Sequence, residues 1–252
     1  MEITLLGTGT SQGVPVVACD CAVCLSSDPH DKRLRTSALI KSGDTVICID
    51  AGPDFRQQML RANVKKLDAV LFTHNHKDHT AGLDDVRAFN YVQKKPMDVY
   101  GRIEVLKSLK IEYSYAFDDF KYPGVPEIDL HVLPFEDFSI NSVKITPIEA
   151  MHLQMPVVGF RIGNFSYLTD ANYIEPKEIE KMKGSKVVII NALRKRKHIS
   201  HFNLEETLKL ISIIKPEKAY LTHISHQMGF YNEVEKELPE NVFLGYDGLV
   251  IK

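Results

Sequence analysis

Six consecutive residues, His74-Asn75-His76-Lys77-Asp78-His79, hold four side chains able to bind a metal. Neutral imidazole and carboxylate both suit Zn²⁺, Mn²⁺ or Fe²⁺, and ordinary packing has little use for three histidines side by side. The cluster directly follows the apolar run 69–73, which reads as a buried strand delivering its end to His74. In an extended start, His74 and His76 point the same way, because side chains alternate with period two. A turn and helix beginning near Asp78 would send Asp78 and His79 elsewhere, so one short segment can serve two centres. The competing reading, surface histidines beside an Asp78 helix cap, accounts less well for such density.

One segment cannot close two metal shells, since a catalytic metal takes three or more protein ligands and keeps a position for water. The remaining donors must come from the second half. His152 follows ITPIEAM, Asp170 follows FSYLT and His223 follows AYLT, each at the end of an apolar run. Alone, each reads as a hydrogen-bonded core or rim residue. Three at equivalent strand ends make a stronger pattern.

A second constellation lies near the N-terminus. Cys19-Asp20-Cys21-Ala22-Val23-Cys24 has the close spacing of a structural zinc knuckle that lacks one ligand. His226 supplies the best fourth, because His223-Ile224-Ser225-His226 places it three residues beyond a proposed active-site ligand. Such a zinc would tie a long loop to the C-terminal half. The alternative is a set of reduced, buried cysteines. Cys48 sits inside an apolar run and reads as a small core hydrophobe.

The elements that must position these groups follow from periodicity. Residues 2–6 read as a strand breaking at Gly7-Thr8-Gly9, with a Gly-, Pro- and Cys-rich loop to about residue 33. Runs 37–41 and 45–50 form a hairpin around Ser42-Gly43-Asp44, and 54–62 has helical spacing. In the second half, 142–148, 158–162, 165–169 and 219–222 read as strands and 204–214 as an amphipathic helix. AVLFTHNH is echoed by AYLTHISH, and VICIDAG by FSYLTDAN. The echoes suggest two related β-rich halves, about 1–110 and 139–252, meeting at a shared site within a single domain 1–252. Chance likeness between short apolar strands is the competing explanation. The stretch 103–138, with Tyr113, Tyr115, Phe117, Phe120, Tyr122, Pro123 and Pro126, shows no clear period. Its aromatics favour core packing over a substrate-facing lid.

Composition sets the outer bounds. Across 252 residues, 44% hydrophobic and 25% charged side chains describe a globular chain. The formal charge of -2 provides no net field toward nucleic acid or anionic membrane, so neither is expected as a partner. The basic run Arg194-Lys195-Arg196-Lys197-His198 reads first as a solvated face, and second as a device steering an anionic substrate. No basic n-region precedes the first apolar stretch, and no run approaches the ~18 apolar residues of a membrane span. A cytoplasmic location is expected. The oligomeric state is open, and a homodimer is compatible with the sequence.

The motif His74-x-His76-x-Asp78-His79 resembles the HxHxDH signature of the metallo-β-lactamase superfamily, and the likeness runs over nearly the whole chain. The resemblance implies an α/β fold: a four-layer αβ/βα sandwich, two β-rich halves with the site along one edge. It also implies that His74, His76 and His152 hold one metal, that Asp78, His79 and His223 hold a second, and that Asp170 bridges them. Asp50 resembles the aspartate that supports the ligand loop from behind; alone it reads equally as a turn former before Ala51-Gly52.

Together, GTGTSQGVPVVACDCAVC and LTHISHQ look like the phosphoribosyl cyclic phosphodiesterase branch, associated with the carbon-phosphorus lyase pathway. That branch carries the Cys₃His zinc and a further catalytic histidine, matched here by His201-Phe202-Asn203-Leu204. The implied cofactors are two catalytic divalent metals (Zn, Mn or Fe) and one structural Zn. The implied reaction is hydrolysis of a small cyclic or nucleotide-like anionic phosphodiester by a metal-bridging hydroxide. Asp78 and Asp170 would stand at the reacting centre. His201 would protonate the leaving oxygen or hold a phosphoryl oxygen; its competing role is in a capping region before Leu204. Three alternatives stay open: a tRNA-processing nuclease, which the acidic balance and lack of a long RNA-binding insertion disfavour; a thioester or lactam hydrolase; and a non-enzymatic metal- or small-molecule-binding accessory protein.

Overall fold

The computed structural model describes residues 1–120 and 123–252; Tyr122 of the aromatic stretch lies outside the described residues. The first six strands are β1 (Glu2–Gly7), β2 (Ser37–Ser42), β3 (Thr45–Ile49), β4 (Ala69–Leu71), β5 (Met97–Gly101) and β6 (Ile128–Val132). Next come β7 (Phe138–Ile140), β8 (Val143–His152), β9 (Met155–Ile162), β10 (Phe165–Leu168) and β11 (Tyr173–Ile174). The last four are β12 (Val187–Asn191), β13 (Lys218–Thr222), β14 (Val242–Leu244) and β15 (Val250–Ile251). One sheet runs β15-β1-β2-β3-β4-β5-β6; the other runs β11-β8-β9-β10-β12-β13-β14, with β7 on β8. The hairpin expected at residues 37–50 is present: Ser42 pairs with Thr45, and Gly43 takes φ +57° in the two-residue turn.

The layers follow from alternation along the strands. Ala38, Ile40, Ile47, Ile49, Ala69 and Leu71 point inward and meet Val158, Phe160, Phe165, Tyr167 and Ile189 of the second sheet. The intervening Leu39, Cys48 and Val70 point outward, where they pack with Phe55, Met59, Phe89, Val105, Leu106 and Leu109. Those partners come from helices α1 (Phe55–Arg61), α2 (Arg87–Gln93) and α3 (Ile103–Glu112). On the far side, Val188, Ile190 and Leu221 pack with Met182, Leu210, Ile211 and Ile214, from α4 (Pro176–Met182) and α5 (Leu204–Ile214). Burying each such large apolar side chain contributes about 1.5–3 kcal/mol. The result is helix, sheet, sheet, helix, the four-layer sandwich the resemblance implies.

Several boundaries differ from the sequence reading. β8 runs past the expected residue 148 to His152, which stands at the strand end as read, and β4 stops at Leu71. The stretch 103–138 is not aperiodic: α3 buries Val105, Leu106 and Leu109 at helical spacing, and β6 extends the first sheet. Its aromatics divide, Tyr113 being buried and Phe120 82% exposed, so the core reading holds for only part of it. The halves also interlock, because β15 crosses from the C-terminus to pair with β1. Among the described residues, no helix is long and apolar enough to cross a membrane.

Two runs of parallel strands, β3-β4-β5-β6 and β10-β12-β13-β14, aim carboxyl ends at one edge. In open α/β sheets that edge is where ligands bind. The Val158 amide donates to the Thr73 carbonyl there, joining the two sheets.

Candidate metal centre

Asp50, Asp170 and His223 follow the ends of β3, β10 and β13, with φ of +62°, +58° and +54°. Non-glycine residues rarely take this left-handed conformation, and such strain gathers at functional sites. Each turn brings its side chain off the strand direction and into the edge. After β4 the chain bends at Thr73, and an extended His76 precedes the short helix Lys77–Thr80. The change of direction turns Asp78 toward His79 Nε2, while the His79 ring stays 4.2 Å from that of His74.

The ligand loop sits directly on the turn after β3. The Ala51 amide donates to the His79 carbonyl, and the Gly82 amide donates to the Ala51 carbonyl, both at 2.8 Å. A Cβ on Gly52 would collide with the Asp78 carbonyl oxygen, and one on Gly82 with that of Gly52. Glycine is required at both places for this approach.

Asp50 is fully buried and occupied by donors: the Thr73 amide (2.9 Å), the Thr73 hydroxyl (2.9 Å) and His79 Nδ1 (2.7 Å). It therefore braces the loop from behind. Burial pushes its pKa up, against the bonds from His79 and Thr73. Three further rings have one nitrogen held from outside the centre: His74 Nδ1 by the Thr73 hydroxyl (3.0 Å), His152 Nδ1 by the Ser200 carbonyl (2.8 Å), and His223 Nε2 by the Thr10 hydroxyl (3.2 Å). Such outer contacts fix the ring and leave the other nitrogen for a metal.

Asp170 occupies the middle. Its Oδ1 lies 3.0 Å from His223 Nδ1 and 3.4 Å from His79 Nε2. Its Oδ2 lies 3.8 Å from His74 Nε2 and 3.4 Å from His201 Nε2. Asp78 Oδ2 adds a carboxylate 3.1 Å from His79 Nε2. Oδ1 thus faces His79, with Asp78 beside it, and His223, while Oδ2 faces His74 and His201; His76 and His152 gather with His74. In the latter group, ring centroids lie 4.7 Å apart for His74 and His76, and 5.1 Å for His76 and His152.

These residues suit divalent cations. His74 Nε2, His79 Nε2 and His223 Nδ1 are buried without a hydrogen bond of good geometry, an arrangement costly for imidazole unless a cation completes it. Burial, then His79, holds His74 well below the ordinary histidine pKa, and burial takes His223 down to about 3, so both are neutral, as ligands must be. Burial would raise Asp170, but His223 and His79 outweigh it and keep the carboxyl ionised. Burial also opposes charge on His79, yet Asp170 and Asp50 draw a proton onto it. A cation would take over the charge that this imidazolium carries.

The second constellation also assembles. Cys19 Sγ and Cys21 Sγ lie 3.3 Å from His226 Nδ1, and Cys24 Sγ lies 3.4 Å from it. Tetrahedral zinc with ordinary Zn–S and Zn–N bonds sets those edges at about 3.6 Å. All four cysteines of the chain are free thiols. The Cys24 amide, above all, lowers Cys21 to about 6, while burial lifts Cys24 to about 11. Cys48 is fully buried beneath α1–α3, as a core hydrophobe should be.

His201 joins the centre, its ring stacked 4.9 Å from His223 and edge-on 4.5 Å from His152. The capping role read for this region is present too, but belongs to Asn203, which forms a reciprocal capping box with Glu206. Lys195 of the basic run pairs with Glu237, whereas Arg196 and Lys197 are exposed and form no salt bridge among the described residues. Sequence reasoning missed Thr10, Thr73, Ser200 and His198. Thr10 and Thr73 lie inside motifs already singled out, GTGTS and FTHNH, and proximity was the available signal.

Residues 45–224 match the family described as the β-lactamase superfamily domain. An octanoyltransferase of Porphyromonas gingivalis is 42% identical over 252 residues, covering 99% of this chain and 51% of its own length. The chain therefore spans about half the length of that relative. A solved diphosphatase of the PhnP family is 35% identical, with a TM-score of 0.93 over 100% of this chain and 97% of the other. Zn²⁺-bound PqqB from Methylobacterium extorquens shares the fold, with a TM-score of 0.81 at 18% identity over 100% of both chains.

Proposed function

Because this chain belongs to the β-lactamase superfamily, we propose that it is a metal-dependent hydrolase of a small cyclic or nucleotide-like phosphodiester. The observation carrying the reading is the division of Asp170, with Oδ1 toward His79 and His223 and Oδ2 toward His74 and His201. Likeness over the whole chain to a diphosphatase supports phosphorus as the reacting centre.

His74, His76 and His152 would hold one divalent cation, Asp78, His79 and His223 a second, with Asp170 between them. When bound, the pair supplies Lewis acidity toward phosphoryl oxygens and a water acidic enough to attack at neutral pH. The chain's own residues do the rest. Thr73, Asp50, Ser200 and Thr10 hold the imidazoles in one orientation, so little reorganisation accompanies charge build-up on the phosphoryl group. Arg196 and Lys197 place exposed positive charge near His201 in the chain, suited to drawing an anion inward. Water oxygen joins phosphorus as the bond to the leaving oxygen breaks, and His201 Nε2 passes its proton to that oxygen. A linear diester gives a phosphomonoester and an alcohol; a cyclic one opens to a single phosphomonoester that carries the freed hydroxyl.

The test uses protein loaded with Mn²⁺ or Zn²⁺, assayed on bis(p-nitrophenyl) phosphate and on cyclic nucleotides. His76 is exposed, so His76→Ala leaves the core untouched; it should lower kcat/KM by about 10²-fold or more. Absence of turnover by well-metallated protein, or equal turnover by the variant, overturns the reading. The name of the P. gingivalis relative favours an acyl substrate as second choice, and faster cleavage of an octanoyl thioester than of any diester would select it.

A further inference from the structure

His198 lies outside every ligand set above, yet it touches the proposed proton donor. Its Nδ1 lies 3.3 Å from His201 Nδ1, 3.2 Å from the Ser200 hydroxyl and 3.4 Å from the Ser200 amide. The Ser200 hydroxyl is itself 3.0 Å from His201 Nδ1. The two rings are 5.2 Å apart and tilted by 54°.

Proton assignment follows from the one donor whose identity is fixed. A backbone amide only donates, so the Ser200 N–H makes His198 Nδ1 an acceptor and puts that ring's neutral proton on Nε2. His201 Nδ1 then faces an acceptor and a hydroxyl that can pass a hydrogen bond onward to it. The consistent arrangement has His201 Nδ1–H donating to the Ser200 hydroxyl, and the hydroxyl donating to His198 Nδ1. Burial, then the charges of His201 and Arg194, push His198 below the ordinary histidine pKa, which keeps it in this accepting form.

We propose that His198, acting with Ser200, is a positioning residue that fixes the Nδ1–H tautomer of His201, so that Nε2 alone faces Asp170 and the substrate. The proposal rests on the proton-donor role in the proposed function. To act as the acid His201 must carry a proton on both nitrogens; when Nε2 gives its proton to the leaving oxygen, the ring is left as neutral Nδ1–H, the tautomer that Ser200 and His198 already bind. Proton transfer therefore ends in a hydrogen-bonded state, without rotation or a second transfer. An orienting partner behind a catalytic histidine acts by the same logic in hydrolytic triads.

The contribution should show where the leaving group needs a proton. On a cyclic nucleotide, which expels an alkoxide, His198→Ala should lower kcat about 10-fold or more with little change in KM. On bis(p-nitrophenyl) phosphate, whose leaving group is stable unprotonated, the loss should be at least about 3-fold smaller. The oxygen of asparagine is as many bonds from Cα as histidine Nδ1, and that of glutamine as many as Nε2. His198→Asn should therefore restore kcat to within about 3-fold of the parent, and His198→Gln should not. A general packing role would not separate these two amides, nor the two substrates.

Direct observation comes from ¹⁵N–¹H correlation of the histidine rings in Zn²⁺-loaded protein. His201 should show a protonated Nδ1 when neutral, and a mixture of tautomers in His198→Ala. A neutral His201 protonated on Nε2, or a His198→Ala variant with unchanged tautomer and equal losses on both substrates, overturns the proposal. If the parent cleaves neither diester while His201 still carries Nδ1–H, the functional reading falls and the tautomer assignment stands.

Discussion

Asp50 follows β3 in the first sheet and Asp170 follows β10 in the second, both in the left-handed region, at φ +62° and +58°. Both are buried, and both are followed by alanine. Their surroundings differ in one respect. Asp50 receives three protein donors, two from Thr73 and one from His79. Asp170 receives the Thr169 hydroxyl at 2.6 Å, and otherwise faces imidazole nitrogens, three of which have no hydrogen-bonding partner. A carboxylate filled by donors supports a loop, and one facing unpartnered nitrogens is arranged to share cations with them. The same turn in two positions thus yields a brace at Asp50 and, on the proposed reading, a bridge at Asp170.

Asparagine substitutions break this comparison most sharply. Asp170→Asn removes the charge shared between the two ligand groups and should lower kcat/KM by about 10³-fold, measured with saturating Mn²⁺. Asp50→Asn leaves every proposed ligand in place but turns an amide toward donors. It should weaken metal affinity or activity by about 10–100-fold, read by competition with a chelator. Equal effects at the two positions would erase the distinction. Cys21→Ser alters the other constellation at an exposed residue; it should release the structural metal and lower Tm by roughly 5 °C or more, with a smaller effect on activity per folded molecule. The smallest effect belongs to Arg196→Ala with Lys197→Ala, which should raise KM about 3-fold at low salt and less at high salt.

How much of this was legible depended on whether the signal was local. The apolar run before His74 and the density of ligands in HNHKDH identified the ligand loop, and the spacing of Cys19, Cys21 and Cys24 identified the second constellation. The echo between VICIDAG and FSYLTDAN corresponds to the turns carrying Asp50 and Asp170, although sequence could not show that each enters the left-handed region. That conformation is imposed by tertiary contacts, among them the Ala51 and Gly82 amide bonds. Helix α3 escaped notice because the aromatic and proline content of its surroundings masked the spacing of Val105, Leu106 and Leu109. β12 escaped because VVIIN, buried on both faces, has no period to separate strand from helix. His198 was read only as the end of a basic run and Ser200 only as part of a capping region, since the contact of each with His201 depends on which way two rings face.

The central claim is that Asp170 joins two cation sites, distinct from a third held by the cysteines. Metal content per chain, measured by plasma mass spectrometry on desalted parent protein and Asp170→Ala, tests it most directly. The account predicts roughly three ions in the parent and roughly one in the variant, retained by Cys19, Cys21, Cys24 and His226. An unchanged count in Asp170→Ala, or no more than one ion in the parent after loading, would contradict it.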